Sequence, residues 1–237
     1  MSRPLEVRDL GRQPYARALE LQRELRRRRT EGELTHDVLL LTEHPPVVTL
    51  GRGTRATSLP LAPVLLERRG AEVFEVERGG DVTFHGPGQL VGYPIVDLSG
   101  HRRDLHWYLR RLEDVVIAAV ERLGVPAGRT PGLTGVWTAG RKIASIGIHV
   151  KQWVTYHGFA LNVTTDLRGF DVIVPCGIEG VVMTSVAAEL GRPDGPALWD
   201  AARDEVARAF AQGFGFSGTE WLDEDALRGA ARSGERG

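Results

Sequence analysis

The stretch RGGDVTFHGPGQLVGYPIVDL, Arg78 to Leu98, decides how the rest of the chain is read. Two short apolar runs, Val82 to Phe84 and Leu90 to Val96, predict strands, with His85-Gly86-Pro87-Gly88-Gln89 as the connection between them. Each glycine adds backbone entropy to be lost on folding, and each polar side chain needs a partner once buried, so this mixture makes a poor plain core. Glycine is useful where a ligand must approach the backbone closely. The stretch therefore reads as one wall of a site, and the HGPGQ connection as a binding loop. The same composition returns in GVWTAGRKIASIGIHV (Gly135 to Val150), YHGFALNV (Tyr156 to Val163) and IVPCGI (Ile173 to Ile178).

On either side the chain reads as scaffold. Apolar residues at Tyr15, Ala18, Leu19, Leu21 and Leu25 predict an amphipathic helix over Pro14 to Arg29 that ends in the basic run Arg26 to Arg29. That run is either a solvated helix face or a dock for an acidic partner. Asp37 to Thr42 and Val47 to Leu50 predict strands around the rigid His44-Pro45-Pro46, Leu61 to Arg69 a short helix, and Glu72 to Glu77 a strand with one wet face. A sustained helical stripe from Leu105 to Leu123 marks the main core helix, stopped by Gly124 and Pro126. Val136 to Thr138, Lys142 to Val150 and Val154 to Asn162 predict a meander. The later chain reads as helical over Ser185 to Leu190 and Ala197 to Phe210, with a short piece after Asp223 and a frayed tail from about Gly229.

Composition narrows the function. At 237 residues the chain can bury its core as one domain, 1–237, with that core over about 5–222, or as a larger domain with a small C-terminal extension. Thirty basic against 31 acidic residues argue against binding nucleic acid by bulk charge. No apolar run is long enough for a membrane span or a signal peptide, which makes the cytoplasm the expected compartment. With one cysteine there is no intrachain disulfide and no paired-thiolate zinc site, so neither a metal nor a cofactor is expected.

Four side chains could do chemistry. Cys176 sits between Pro175 and Gly177, which can expose its sulfur, and a nearby cation would favour the reactive thiolate. Lys142 opens the apolar KIASIGI run, where desolvation would lower its pKa and make the amine a proton acceptor. His85 and His149 are competing bases, and either could orient a substrate carbonyl instead. Spacing along the chain does not show which of these meet.

Taken together, EHPPVVTLGR, RGGDVTFHGPGQLVGYPI, GRKIASIGIHV, HGFALNV and IVPCGI, in that order from about Leu39 to Ser185, resemble the lipoyl(octanoyl) transferases. Phe84 stands where that family frequently has tyrosine. The resemblance implies an α/β (α+β) fold shared with the biotin and lipoate ligase catalytic domains: mixed, largely antiparallel sheets flanked by helices around a ligand pocket. It implies that Cys176 takes the octanoyl group from octanoyl-acyl carrier protein as a thioester. A lysine of an apo lipoyl domain would then receive it, either in the E2 subunits of 2-oxoacid dehydrogenases or in the glycine cleavage H protein, with Lys142 as general base. It also implies substrate contacts from Arg78, Gly79, Gly80, Asp81, Val82, Thr83, Phe84 and His85, from Ser145, Ile146, Gly147 and His149, and from Gly158, Phe159 and Ala160. Arg26 to Arg29, Arg52, Arg55 and Arg141 are candidates for steering the acidic carrier, and the enzyme is expected to act as a monomer. An ATP-dependent ligase, a thioesterase and a non-catalytic binding module are the rival readings.

Overall fold

Two strands have no wet face. β6 (Gln89–Ile95) and β9 (Val154–Asn162) are buried at every residue, the mark of central strands covered on both sides. The computed structural model describes residues 3–174, 180–192 and 195–223, and among these the two strands lie side by side in a seven-stranded sheet. With β1 (Leu5–Arg12), β2 (Val38–Glu43), β7 (Val136–Thr138), β8 (Arg141–Lys151) and β10 (Thr219–Asp223), the order is β10-β1-β2-β6-β9-β8-β7. β1 is parallel to both β10 and β2, and the remaining pairs are antiparallel.

The two-residue period of a strand sorts side chains to opposite faces. Leu39, Leu41, Leu90, Phe159 and Leu161 face one core, against α3 (Leu105–Arg122) and α5 (Pro196–Phe214). Leu40, Val91, Tyr93, Ile95 and Ala160 face the other, against α1 (Tyr15–Glu31). Each helix carries its own punctuation. Asp104 caps α3 by accepting from Trp107 N at 3.0 Å, and α1 ends on Gly32 in the left-handed region (φ 80°).

A second, three-stranded sheet has the order β4-β3-β5, built from β3 (Val47–Leu50), β4 (Glu72–Glu75) and β5 (Val82–His85). Strands adjacent in sequence here belong to different sheets. β2 passes to β3 through His44-Pro45-Pro46, and β5 passes to β6 through Gly86-Pro87-Gly88. The second crossing needs its glycine: Gly88 has φ 79°, and a Cβ there would lie 2.6 Å from Thr164. Both crossings tie the small sheet to the large one, so its β4–β5 end sits over β8 and β9.

Three features depart from the sequence reading. The helix over 63–68 (α2) is shorter than the Leu61 to Arg69 expected. β1 and β10 carry no strand signal strong enough to notice, because their mixed charged and apolar residues pair only with each other and with β2. The last helix runs four residues past Phe210, to Phe214. The helical piece expected after Asp223 and the tail from Gly229 lie outside the described residues.

Close approach of β6 and β9 leaves no room for a methyl group. A Cβ on Gly158 would stand 2.2 Å from the Gly92 carbonyl oxygen, a backbone atom that cannot swing aside. Gly158→Ala is expected to destabilise the fold by about 2 kcal/mol, as overpacking does. Urea unfolding measures it, and an unchanged midpoint would show that the two strands separate freely.

Candidate active site

The small sheet and the β8–β9 hairpin enclose a cavity of about 230 Å³. That is below the ~300–1,000 Å³ usual for drug-sized ligands, so it suits a slender chain or a small acid. Arg78 and residues 80–83, with His85, form one wall. Ser145, Ile146 and Gly147 of β8, with His157, Gly158, Phe159 and Ala160 of β9, form the facing one. Tyr15 of α1 and Val91 and Tyr93 of β6 add to the lining, and Lys142 lies with residues 132–134 at the remaining edge.

Arg78 shapes its own loop. The residue is buried, and its guanidinium donates to the Thr49 carbonyl (2.7 Å) and hydroxyl (2.9 Å) and to the Asp81 carbonyl (2.7 Å). Asp81 in turn accepts from Ser58 Oγ at 2.6 Å and from Val82 N at 2.7 Å. Gly147 has to be small, since a Cβ there would lie 3.0 Å from both Arg78 Cδ and the Gly79 carbonyl.

Three of the residues implied by the resemblance do not line the cavity. Gly79 holds the loop to β8 through its N–H on the Ile148 carbonyl (2.8 Å). Phe84 packs into a separate small core, edge-on to Phe170 at 5.5 Å. His149 donates from Nδ1 to the Glu77 carbonyl (2.9 Å) and lies against Tyr156, and its partial burial lowers its pKa.

Lys142 is 2 % exposed. Its Nζ donates to the Thr134 carbonyl (3.0 Å) and stands 5.3 Å from the centre of the Trp137 ring. Gly135 makes room for it: at φ 124° it accepts no ordinary side chain, and a Cβ there would come within 2.7 Å of Lys142 Cε. Behind that turn, the Glu113 carboxylate is 1 % exposed on α3 and accepts from Gly135 N (3.1 Å), Arg110 Nη1 (2.6 Å) and Arg129 Nε (2.7 Å). A core-helix carboxylate thus holds the turn that holds the amine.

Residues 175–179, and Cys176 with them, lie outside the described residues. Their described neighbours are anchored at the cavity edge. Val174 N donates to the Ser58 carbonyl (2.9 Å), and Ser58 is bonded to Asp81. On the far side, the Lys142 N–H donates to Val182 (2.8 Å) and the Lys142 carbonyl accepts from Thr184 N (2.9 Å).

Three buried histidines cluster near the cavity. Burial pushes His44 down to about 4, His85 down to about 3, where His44 and Arg78 add repulsion, and His157 down to about 3, where Arg78 adds to it. His157 takes the left-handed backbone (φ 56°) that its neighbour Gly158 would adopt more readily, and its N–H donates to buried Gln22 at 2.9 Å. Among the described residues no cluster of three or more His, Cys, Asp or Glu side chains could hold a metal. Nor is any described helix long and apolar enough to cross a membrane.

Tyr15, Tyr93, His157, residues 132–134 and Glu113 escaped the sequence reading. Only Glu113 left a signal there: a carboxylate between Leu112 and Val116 within the apolar stripe of α3. The basic candidates for carrier docking are also reduced. Arg27 pairs with Glu24 and Glu33, Arg28 with Glu33, Arg29 with Asp37 and Asp97, and Arg141 forks onto Glu189 at 2.9 and 2.8 Å. Arg26, Arg52 and Arg55 show no ion pair among the described residues.

A family model described as the lipoyl protein ligase A/B catalytic domain matches residues 14–215. An octanoyltransferase of Solibacter usitatus is 50% identical over 208 residues, covering 88% of this chain and 90% of that one. Another, of Rubrobacter xylanophilus, is 56% identical over 191 residues, covering 79% and 85%. Among solved structures, a bipartite lipoate protein ligase from Thermoplasma acidophilum superposes with a TM-score of 0.67 at 16% identity, covering 100% of this chain and 93% of that one. A lipoate-protein ligase A bound with ATP gives 0.67 at 15% identity, covering 100% and 95%. At such identity the likeness establishes the fold, a mixed α/β arrangement with one large sheet.

Glu113→Ala would leave Gly135 N–H and the Arg110 guanidinium without this acceptor and leave Arg129 only Asp114 and the Arg110 carbonyl. A loss on the order of 2 kcal/mol is expected, less than the ~3–5 of a fully buried pair because both arginines reach water. Thermal unfolding checks it, and a stability equal to the parent's would dismiss the carboxylate as an anchor. The histidines predict a pH dependence. Each stays neutral when folded but takes a proton below about 6.5 when unfolded. Unfolding then takes up protons, so stability is full above about pH 6.5 and declines as the pH falls toward about 3. Coincident urea midpoints at about pH 7.5 and about pH 5 would contradict it.

Proposed function

This chain belongs to the lipoyl protein ligase A/B catalytic-domain family and is an acyltransferase of its octanoyltransferase members, and on that premise we propose that it acts through a cysteine thioester. It takes an octanoyl or lipoyl group from acyl carrier protein onto Cys176 and passes it to a specific lysine of an apo lipoyl domain. The acceptors are the E2 subunits of 2-oxoacid dehydrogenases and the glycine cleavage H protein. The observation that carries this reading is a buried amine, Lys142, bonded through its backbone to the segment that follows Cys176.

The chemistry balances without a further reactant. Lys142 takes the thiol proton of Cys176, the thiolate adds to the thioester carbon, and the carrier leaves as a thiol on receiving that proton. The acceptor amine then adds to the new thioester and gives up its proton to Lys142. The tetrahedral intermediate collapses to an amide, and Cys176 recovers its proton as it leaves. An amide is more stable than a thioester, so no ATP is consumed. Backbone N–H groups of the glycine-rich walls are suited to the oxyanion, and Val82, Ile146, Phe159 and Ala160 to the acyl chain. Arg26, Arg52 and Arg55 remain available to steer an acidic carrier.

Intact-mass measurement tests the scheme. Mixing the enzyme with octanoyl-carrier protein should add one octanoyl group, and adding apo lipoyl domain should remove it into an amide. Cys176→Ser should show no adduct, and Lys142→Ala should remain folded and acylate slower by about 10² or more. An adduct that persists in the serine variant, or ATP-dependent activation of free octanoate, would overturn the scheme.

A further inference from the structure

His85 has only one way to place its proton. The constraint starts at the Thr184 carbonyl oxygen, which can only accept, so the Asn162 atom 2.9 Å away is its NH₂ group. Asn162 therefore turns its oxygen to Gln89, whose Nε2 donates to it at 2.9 Å and to the Phe84 carbonyl at 3.2 Å. With both hydrogens of Gln89 aimed at oxygens, its remaining atom, Oε1, is an acceptor. That oxygen lies 2.7 Å from His85 Nδ1, so Nδ1 carries the hydrogen. Two backbone carbonyls, those of Thr184 and Phe84, independently oppose flipping the chain.

A neutral imidazole protonated on Nδ1 has a bare Nε2. No hydrogen bond among the described residues engages that atom. His85 lines the cavity and Gln89 does not, so the ring nitrogen turned away from Gln89, Nε2, is the one left to the cavity side, and it is not among the fully buried polar atoms. Tyr15 of α1 stacks on the ring at 6.1 Å, and His44 of the β2–β3 crossing meets it edge-on at 6.0 Å. Arg78 of the β4–β5 loop and His157 of β9 complete its charged and titratable surroundings; burial, His44, Arg78 and His157 oppose a second proton on the ring, against the opposite pull of the Gln89 hydrogen bond.

A bare nitrogen cannot donate to a thioester carbonyl or to its oxyanion, but it can accept an N–H. In the transfer proposed above, the group that brings an N–H to the reacting carbon is the incoming lysine amine. We propose that His85 Nε2 is a permanent hydrogen-bond acceptor that orients this amine, and that Gln89 and Asn162 are positioning residues which keep its proton on the far nitrogen. The role rests on the transferase reading. The proton itself stays on the amine until Lys142 takes it, so His85 aligns the lone pair of the attacking nitrogen without titrating.

The test uses the full chain with ¹⁵N-labelled histidine, with His85→Phe to assign the resonance. The wild type should show protonated Nδ1 and bare Nε2 from about pH 6 to about 8, and a protonated Nε2 in that range would overturn the proposal without any variant having to fold. Single-turnover mass measurements then separate acylation of the enzyme from transfer to the apo lipoyl domain. Gln89→Glu sets a carboxylate against Nδ1, which favours the doubly protonated ring and converts Nε2 to a donor. Its transfer rate relative to acylation should fall about 10-fold or more near pH 6 and recover as the pH rises and the ring deprotonates. A ratio equal to the wild type's while the spectrum shows His85 doubly protonated would sink the role. Failure of the wild type to form an acyl-enzyme would instead defeat the transferase reading, and the role of His85 with it, while the tautomer result would stand.

Discussion

The buried amine of Lys142 is the constraint around which the rest is arranged. Holding that amine at 2 % exposure requires polar partners, and these and their supports are drawn from three separate stretches of the chain. The turn at 132–135 supplies a carbonyl, Trp137 a ring face, Glu113 the anchor behind the turn, and the segment at 182–184 two backbone hydrogen bonds. None of these is strong alone in water. Together they bring α3, β7, β8 and the chain beyond residue 180 to one edge of the cavity.

The same segment links the two ends of the site. Thr184 N–H reaches the Lys142 carbonyl, and the Thr184 carbonyl begins the amide chain through Asn162 and Gln89 to His85. Glu189 secures it from below, accepting from the Thr184 hydroxyl at 2.5 Å and from Arg141. His85 in one wall and Lys142 at the cavity edge therefore share one stretch of backbone as their reference. Buried polar networks of this kind are stabilising when fully satisfied and costly when broken, which ties the integrity of the fold to the geometry of the site.

The wet and dry walls divide the labour of the cavity. Val82, Val91, Ile146, Phe159 and Ala160 offer apolar surface, while glycines at 147 and 158 let neighbouring backbone close in. Arg78, the most conspicuous charge in the signature stretch, shapes the loop through its hydrogen bonds to Thr49 and Asp81. Charge within a signature string can thus serve the architecture of a site as much as its chemistry.

By itself the sequence determined the kinds of residue that gather here and most of the elements that carry them. The stripes of α1 and α3 and the β7–β8–β9 meander follow from periodicity, because the spacing of apolar residues reports which face of an element is covered. Long uncommon strings such as RGGDVTFHGPGQLVGYPI indicated the family and the α/β fold. Only the tertiary structure decided which elements meet: that β2 and β3, or β5 and β6, lie in different sheets, that Glu113 reaches the turn beside Lys142, and that His157 joins the cavity while Phe84 and His149 do not. Those outcomes depend on pairings between residues far apart in the chain and on the direction of individual donors and acceptors. Periodicity along one element carries no information about either.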